Sequence, residues 1–253
     1  MIAQEPRDFA ELTGFGKVLA SYGNGMTDPH FETHGTTVLQ LRYDQGVLTL
    51  ADRRATAGNL IMYDQAEKII ALDDSTVVAI SGAFAKSVDV CRFLKHSFKY
   101  YRRTVLQEMS LEGKLMEISR ALAGNAPMAM QGIGLFLPIV AAYDKKRGEF
   151  GVYFFDGAGA RFQNGSYACA GSGSERIRGV FEYIARTKGK FETRPLDEVL
   201  ADGLQMLDIA ADLDSATGGF NKTLPVTRVL DQHGTREIPE DQLRAATLKV
   251  LAG

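Results

Sequence analysis

A glycine followed by two threonines, Gly35-Thr36-Thr37, stands where a polar, turn-rich segment gives way to strand-forming residues. If the bond before Thr36 were cut, that residue would carry a hydroxyl and a free α-amine together. An α-amine has an unperturbed pKa of roughly 8, well below that of a lysine side chain. It can act near neutrality as general base for its own hydroxyl, directly or through one water. Glycine on the other side of the cut lets the backbone bend for attack of Oγ on the preceding carbonyl. Read alone, Gly-Thr-Thr is also what β propensity places at a strand start. Farther on, Asp52-Arg53-Arg54 puts three charges at the end of an apolar run, and Lys68 opens another. A buried lysine near the threonine would lower the hydroxyl's pKa and stabilise its alkoxide, with an aspartate keeping the lysine charged. The alternative is that these charges mark strand ends in solvent.

Other chemistries find less support. The chain has no G-x-S-x-G elbow, no P-loop and no G-x-G-x-x-G. His30 and His34 are spaced as helical metal ligands, but Phe-Glu-Thr separates them in a Gly/Pro-flanked segment without helical pattern, so no metal site is expected. His96 and His233 have no nearby partners, which leaves a Ser-His-Asp triad unsupported. The 253 residues carry 29 Lys plus Arg against 31 Asp plus Glu. Without a basic excess, nucleic-acid binding is not expected. Cys91 and Cys169 lie in apolar stretches and read as buried free thiols, which suits a reducing cytosol. No run reaches the roughly 18 apolar residues of a membrane span, and the first residues lack the apolar core of a secretory signal. A cytoplasmic protein is the expectation.

The elements that must position the threonine follow from periodicity. Residues 1–35 have no apolar period and read as an extended arm or leader, ahead of one domain over 36–253. The run 36–43 alternates, Asp44-Gln45-Gly46 turns, and 47–51 returns as the hairpin partner. Further strands are predicted at 59–62, 68–72, 75–81, 134–143, 150–155, 166–171 and 224–230. Helical spacing runs through Phe84, Val88, Cys91, Phe98 and Tyr101, then through Leu111, Leu115, Ile118 and Leu122 behind a Ser110 N-cap. More helices are predicted at 174–187, at 196–210 and from Pro239. Strands in a block, then helices in a block, then the same again is an α+β order rather than βαβ alternation. Two antiparallel sheets with helices on their outer faces would bury most of the apolar residues.

The run HGTTVLQLRYDQGVLTLADRRATAGNLIMYDQAEKIIAL resembles the start of a bacterial-type proteasome β subunit. AISGAF (79–84), AMQG (129–132), ACAGSGSE (168–175) and ADLDSATGG (211–219) agree with it, so the resemblance covers roughly 34–230. It implies the four-layer αββα sandwich of the N-terminal nucleophile hydrolases and a threonine-type endopeptidase activated by autocatalytic cleavage at Gly35-Thr36. Thr36 becomes the nucleophile, Asp52 and Lys68 the charge pair beside it, and the Arg54 backbone helps hold Lys68. The Gly82 amide is the oxyanion donor, its missing side chain leaving room for the substrate carbonyl. Ser172, Asp214 and Thr217 orient the freed amine, and Thr56 pairs its backbone with an extended substrate. Ala55, Ala66, Ile70, Ile80 and Phe84 correspond to the walls of the specificity pocket.

The resemblance also implies seven-membered β rings stacked in pairs, α-subunit rings capping them, and a ring-shaped AAA ATPase feeding unfolded proteins, with no cofactor needed. The alternatives are an HslV-like two-ring ATP-dependent threonine peptidase, a non-catalytic ring subunit and another N-terminal nucleophile hydrolase. The first normally lacks a long leader and carries GDG where this chain has DRR. The second would lack Thr36 or Lys68, and the third would not be expected to repeat DRRAT and GSGS at these separations.

Overall fold

The computed structural model describes residues 35–57, 60–131, 134–220 and 222–252. The leader expectation, apart from Gly35, and the His30/His34 pair lie outside these residues, as do Gly58, Asn59 and Gly132 of the quoted motifs.

Two five-stranded antiparallel sheets form the centre. The first has strand order β10-β1-β2-β11-β12 and is built from β1 (Thr37–Tyr43), β2 (Gly46–Ala51), β10 (Tyr167–Gly171), β11 (Val226–Asp231) and β12 (Gly234–Arg236). The second runs in sequence order through β5 (Ile69–Asp73), β6 (Thr76–Ala79), β7 (Ile139–Asp144), β8 (Glu149–Phe155) and β9 (Arg161–Asn164). A separate hairpin joins β3 (Ala55–Ala57) to β4 (Leu60–Tyr63).

The layering can be read off β1 and β2, which are buried almost throughout. Successive side chains on a strand point to opposite faces. Leu39, Leu41, Leu48 and Leu50 therefore enter one apolar cluster with Ile177, Phe181, Leu204 and Leu207 of the helices α3 (Ser174–Thr187) and α4 (Leu196–Leu213). Val38, Val47 and Ala51 point the other way and meet Val77, Ala79, Ile139 and Val152 of the second sheet. Beyond that sheet, Val78, Ile80 and Val140 pack on Leu94 and Phe98 of α1 (Phe84–Val105) and on Leu115 and Ile118 of α2 (Leu111–Ala129). A fifth helix, α5 (Glu240–Ala252), adds Leu243 to the first cluster. The layers run helix, sheet, sheet, helix, which is the expected αββα sandwich. No helix among the described residues is long and apolar enough to cross a membrane.

Three short strands, β3, β9 and β12, were not predicted; the predicted strands shift at their ends by a residue or two, and two of them are clearly shortened. The strand expected over 134–143 begins at Ile139, because Gly134 takes a positive φ of 68° and Pro138 lacks the N–H a ladder needs. The strand expected over 75–81 ends at Ala79, and the chain then turns through Gly82 at φ 98°. Ser110 caps α2 as predicted, its side chain accepting from the Gly113 N–H at 3.2 Å. Cys91 and Cys169 are buried and free, and burial pushes the Cys91 thiol up to about 12.

Candidate active site

Strand register assembles the site. In the β1–β10 pairing Thr37 faces Gly171, so the same register carried one residue further sets Thr36 beside Ser172. The Thr36 N–H donates to Ser172 Oγ at 3.4 Å. In the β1–β2 pairing Val38 faces Ala51, and the ladder extends through an Asp52 N–H to Thr37 carbonyl bond of 3.2 Å. Asp52 thus stands next to the threonine pair at the mouth of the first sheet. Lys68 immediately precedes β5, and its carbonyl accepts from the Ile80 N–H at 2.9 Å, so it is fixed at the same end of the second sheet.

Across the two sheets, Lys68 Nζ donates to Asp52 Oδ1 at 2.7 Å, and both side chains are 1% exposed or less. Strand ends in solvent are excluded for this pair. The same Oδ1 accepts from the Thr37 N–H at 2.8 Å, while Oδ2 accepts from the Arg54 and Gly218 N–H groups at 2.9 Å each. Burial drives the Lys68 pKa below the usual ammonium value, and the Asp52 charge and hydrogen bond pull it part of the way back. The Arg54 backbone contact runs to Asp52. Among the described residues no hydrogen bond joins it to Lys68. The Arg54 side chain instead donates to the carbonyls of Ser215 and Thr217, and to Asp64, at 3.0 to 3.2 Å.

Asp214 ends α4, where its extended backbone (φ −135°) releases the chain into the loop 215–219. Its Oδ2 accepts from the Ser172 and Thr217 hydroxyls at 2.6 Å each, and Oδ1 from the Ala216 N–H at 3.2 Å. Desolvation alone would raise the carboxyl. The two hydroxyls, the Ala216 N–H and the Arg176 charge outweigh it and hold Asp214 below its ordinary value. Thr217 Oγ1 also lies 2.7 Å from Thr37 Oγ1.

At the junction itself, Thr36 is 4% exposed and its Oγ1 donates to the Gly35 carbonyl oxygen at 2.7 Å. The Gly35 N–H donates to Thr56 Oγ1 on β3 at 2.9 Å. A Cβ at Gly35 would stand 1.9 Å from Ala216 Cβ, so the loop after Asp214 presses directly on the residue before Thr36. Thr36, Asp52, Lys68, Arg54, Thr56, Ser172, Asp214 and Thr217 thus belong to one continuous set of hydrogen bonds and chain neighbours.

The other expected positions lie outside that set. Gly82 forms an isolated bridge with Phe136, flanked by Ala83 N–H to Leu135 and Leu137 N–H to Ser81 carbonyl bonds. Its own N–H has no acceptor among the described residues. Its glycine is dictated by backbone, because a Cβ would stand 2.3 Å from the Leu135 carbonyl oxygen at a φ of 98°. Of the expected pocket walls, Ala55, Ile70 and Phe84 keep exposed surface. Ala66 and Ile80 are almost fully buried, Ile80 within the cluster beneath α1. Sequence reasoning missed Thr37, Ala216 and Gly218, although the quoted motifs contain all three. Among the described residues no group of His, Cys, Asp and Glu could hold a metal ion.

A family model described as proteasome subunit matches residues 32–222, a span that encloses every residue of this network. The chain belongs to the proteasome subunit family. Among its relatives, the "Proteasome subunit beta" of Acidimicrobium ferrooxidans is 34% identical over 96% of this chain and 88% of its own length. Those of Acidothermus cellulolyticus and Jonesia denitrificans are 33% and 30% identical, each over 87% of this chain and over 76% and 74% of their own lengths. The family makes this chain a peptidase component that assembles with other proteasome subunits.

Proposed function

We propose that the chain is a catalytic β subunit of a bacterial 20S proteasome, a threonine endopeptidase that frees its own nucleophile. The observation that carries this reading is the 2.7 Å contact from Thr36 Oγ1 to the Gly35 carbonyl oxygen, which holds the hydroxyl at the bond to be cut. In the cut, Oγ attacks the Gly35 carbonyl carbon and gives up its proton. The C–N bond breaks, the Thr36 nitrogen takes up a proton, and residues 1–35 remain as an ester on Oγ. Water hydrolyses the ester, restoring the hydroxyl beside a free α-amine. Before the cut that nitrogen is an amide and no base. Lys68 is suited to the first proton transfer, since burial makes it release a proton more readily than a solvated lysine.

In turnover the amine takes the Oγ proton as Oγ attacks the scissile carbonyl. The amine returns that proton to the leaving nitrogen and then activates water to release the acyl group. Asp52 and Lys68 stabilise the charge on Oγ, and Ser172, Asp214 and Thr217 orient the amine. The Gly82 N–H, without an acceptor among the described residues, is available for the oxyanion. Thr56, which already holds the Gly35 N–H, lies along the path an extended substrate would take. Ala55, Ile70 and Phe84 offer apolar surface to the residue before the scissile bond, with the buried Ala66 and Ile80 behind them. Two stacked seven-membered β rings, capping α rings and an AAA ATPase that feeds in unfolded proteins complete the proposed cytoplasmic machine.

Intact-mass measurement of the assembled protein tests the reading. Wild type should begin at Thr36, Thr36→Ala should keep residues 1–35 and lose peptidase activity, and Thr36→Ser should retain part of both. Full activity from an uncut wild-type chain would overturn it.

A further inference from the structure

Thr37 makes two contacts that link the charge pair to the hydroxyl network. Its main-chain N–H donates to Asp52 Oδ1 at 2.8 Å, the same oxygen that takes the Lys68 ammonium at 2.7 Å. Its side-chain Oγ1 lies 2.7 Å from Thr217 Oγ1. The direction of that second contact follows from counting protons. A threonine hydroxyl has one hydrogen to give. Thr217 spends its hydrogen on Asp214 Oδ2 at 2.6 Å, and an ionised carboxylate can only accept. Thr37 must therefore donate to Thr217. By the same count Ser172 gives its hydrogen to Asp214 Oδ2 and accepts from the Thr36 nitrogen.

One carboxylate oxygen thus receives two arms. One runs through Ser172 to the nitrogen of Thr36, and the other through Thr217 to the side chain of Thr37. The backbone between the two threonines closes the ring. A second observation bears on the same place. A Cβ at Gly173 would meet Thr37 Oγ1 at 2.3 Å and Thr217 Oγ1 at 2.7 Å. Glycine at 173 leaves the space that this pair of hydroxyls occupies.

Resting on the proposed threonine-peptidase reading, we propose that Thr37 is a positioning residue for it: its hydroxyl, acting through Thr217 and Asp214, fixes where the Thr36 nitrogen sits relative to Ser172 and Lys68. The need arises at the cut. While residues 1–35 are attached, the chain on both sides of Thr36 restrains it. Afterwards Thr36 is a terminus held from one side, and beyond its own bond to Ser172 the Thr37 contacts are its nearest anchors. β-Branching limits Thr37 to few rotamers, so the hydroxyl is presented at little further entropic cost.

The test compares Thr37→Val, of nearly the same shape but with no donor, with Thr37→Ser, which keeps the hydroxyl, in assembled particles checked by native mass. Thr37→Val is expected to lose about tenfold in kcat with KM little changed, the scale of one catalytic hydrogen bond. It should also shift the limb of the pH–kcat profile that reports the base. Thr37→Ser should restore most of the rate and the wild-type profile. Thr37→Val/Thr217→Val should lose no more than Thr217→Val alone, because both act through one arm.

A Thr37→Val enzyme with wild-type kcat and pH profile would refute the proposal. So would an equal loss in Thr37→Ser, which would point to packing alone. If Thr37→Val fails to assemble, Gly173→Ala, which crowds the same hydroxyl pair, must reproduce the pH shift for the proposal to stand. Thr36→Ala, run alongside, separates the two readings. An active Thr36→Ala enzyme would sink the threonine mechanism itself. An inactive one beside an unaffected Thr37→Val enzyme would sink only the role given to Thr37.

Discussion

At the scale of single residues, the two halves of the buried ion pair are not equivalent. Asp52 accepts from Lys68 and from the Thr37, Arg54 and Gly218 N–H groups, whereas among the described residues Lys68 Nζ donates to Asp52 alone. Removing Lys68 leaves a carboxylate that three N–H donors still satisfy. Removing Asp52 leaves a buried ammonium and three N–H groups without acceptors. A buried pair broken on one side costs about 3–5 kcal/mol. Asp52→Ala should show that loss in urea unfolding, and Lys68→Ala roughly half as much or less. Both should fail to remove residues 1–35, so processing and stability separate in Lys68→Ala. Equal stability losses would mean that the N–H donors contribute little.

At the scale of elements, the backbone holds Gly82 where its N–H has no acceptor among the described residues. Gly82→Ala would place a Cβ 2.3 Å from the Leu135 carbonyl oxygen and force φ 98° on a residue that disfavours it. Left-handed backbone alone costs roughly 1–2 kcal/mol at a non-glycine residue. The variant should melt lower and, because the bridge to Phe136 must shift, lose more in kcat than its stability change accounts for. Wild-type kcat in a destabilised Gly82→Ala enzyme would remove the amide from the reaction. The helices and long strands were legible because their apolar residues repeat with the right period and are buried on a matching face. The strands β3, β9 and β12 were not, since they are short and, unlike the equally short β4 and β6, lack an apolar run to mark them. Thr36, Asp52 and Lys68 could be picked out by type and position. The N–H donors of Thr37 and Gly218 could not, because a main-chain group leaves no mark on residue type. Gly171 is explained by its φ of 98° and by the Thr36 carbonyl that approaches it, and Gly173 by the Thr37 and Thr217 hydroxyls.

At the scale of the whole molecule, the sandwich brings the ends of both sheets to one mouth. The charged groups there are consumed internally: Asp52 with Lys68, Asp214 with two hydroxyls, Arg54 with Asp64 and two carbonyls. Ala55, Ile70 and Phe84, the expected wall residues that keep exposed surface, carry no charge. A charged substrate side chain set against such a wall would lose solvation without gaining a partner. An apolar one would gain about 25 cal/mol for each Å² it buries. Fluorogenic peptides with Leu, Phe or Tyr before the scissile bond should therefore be cleaved at least roughly tenfold faster than those with Asp, Glu, Lys or Arg. Because Phe84 is the bulkiest of the wall residues, Phe84→Ala should widen the space and raise the relative rate for the larger aromatic residues. A dominant acidic or basic preference would assign the pocket to other residues and leave the proposed self-cleavage at Thr36 untouched, since that proposal rests on the Gly35–Thr36 geometry.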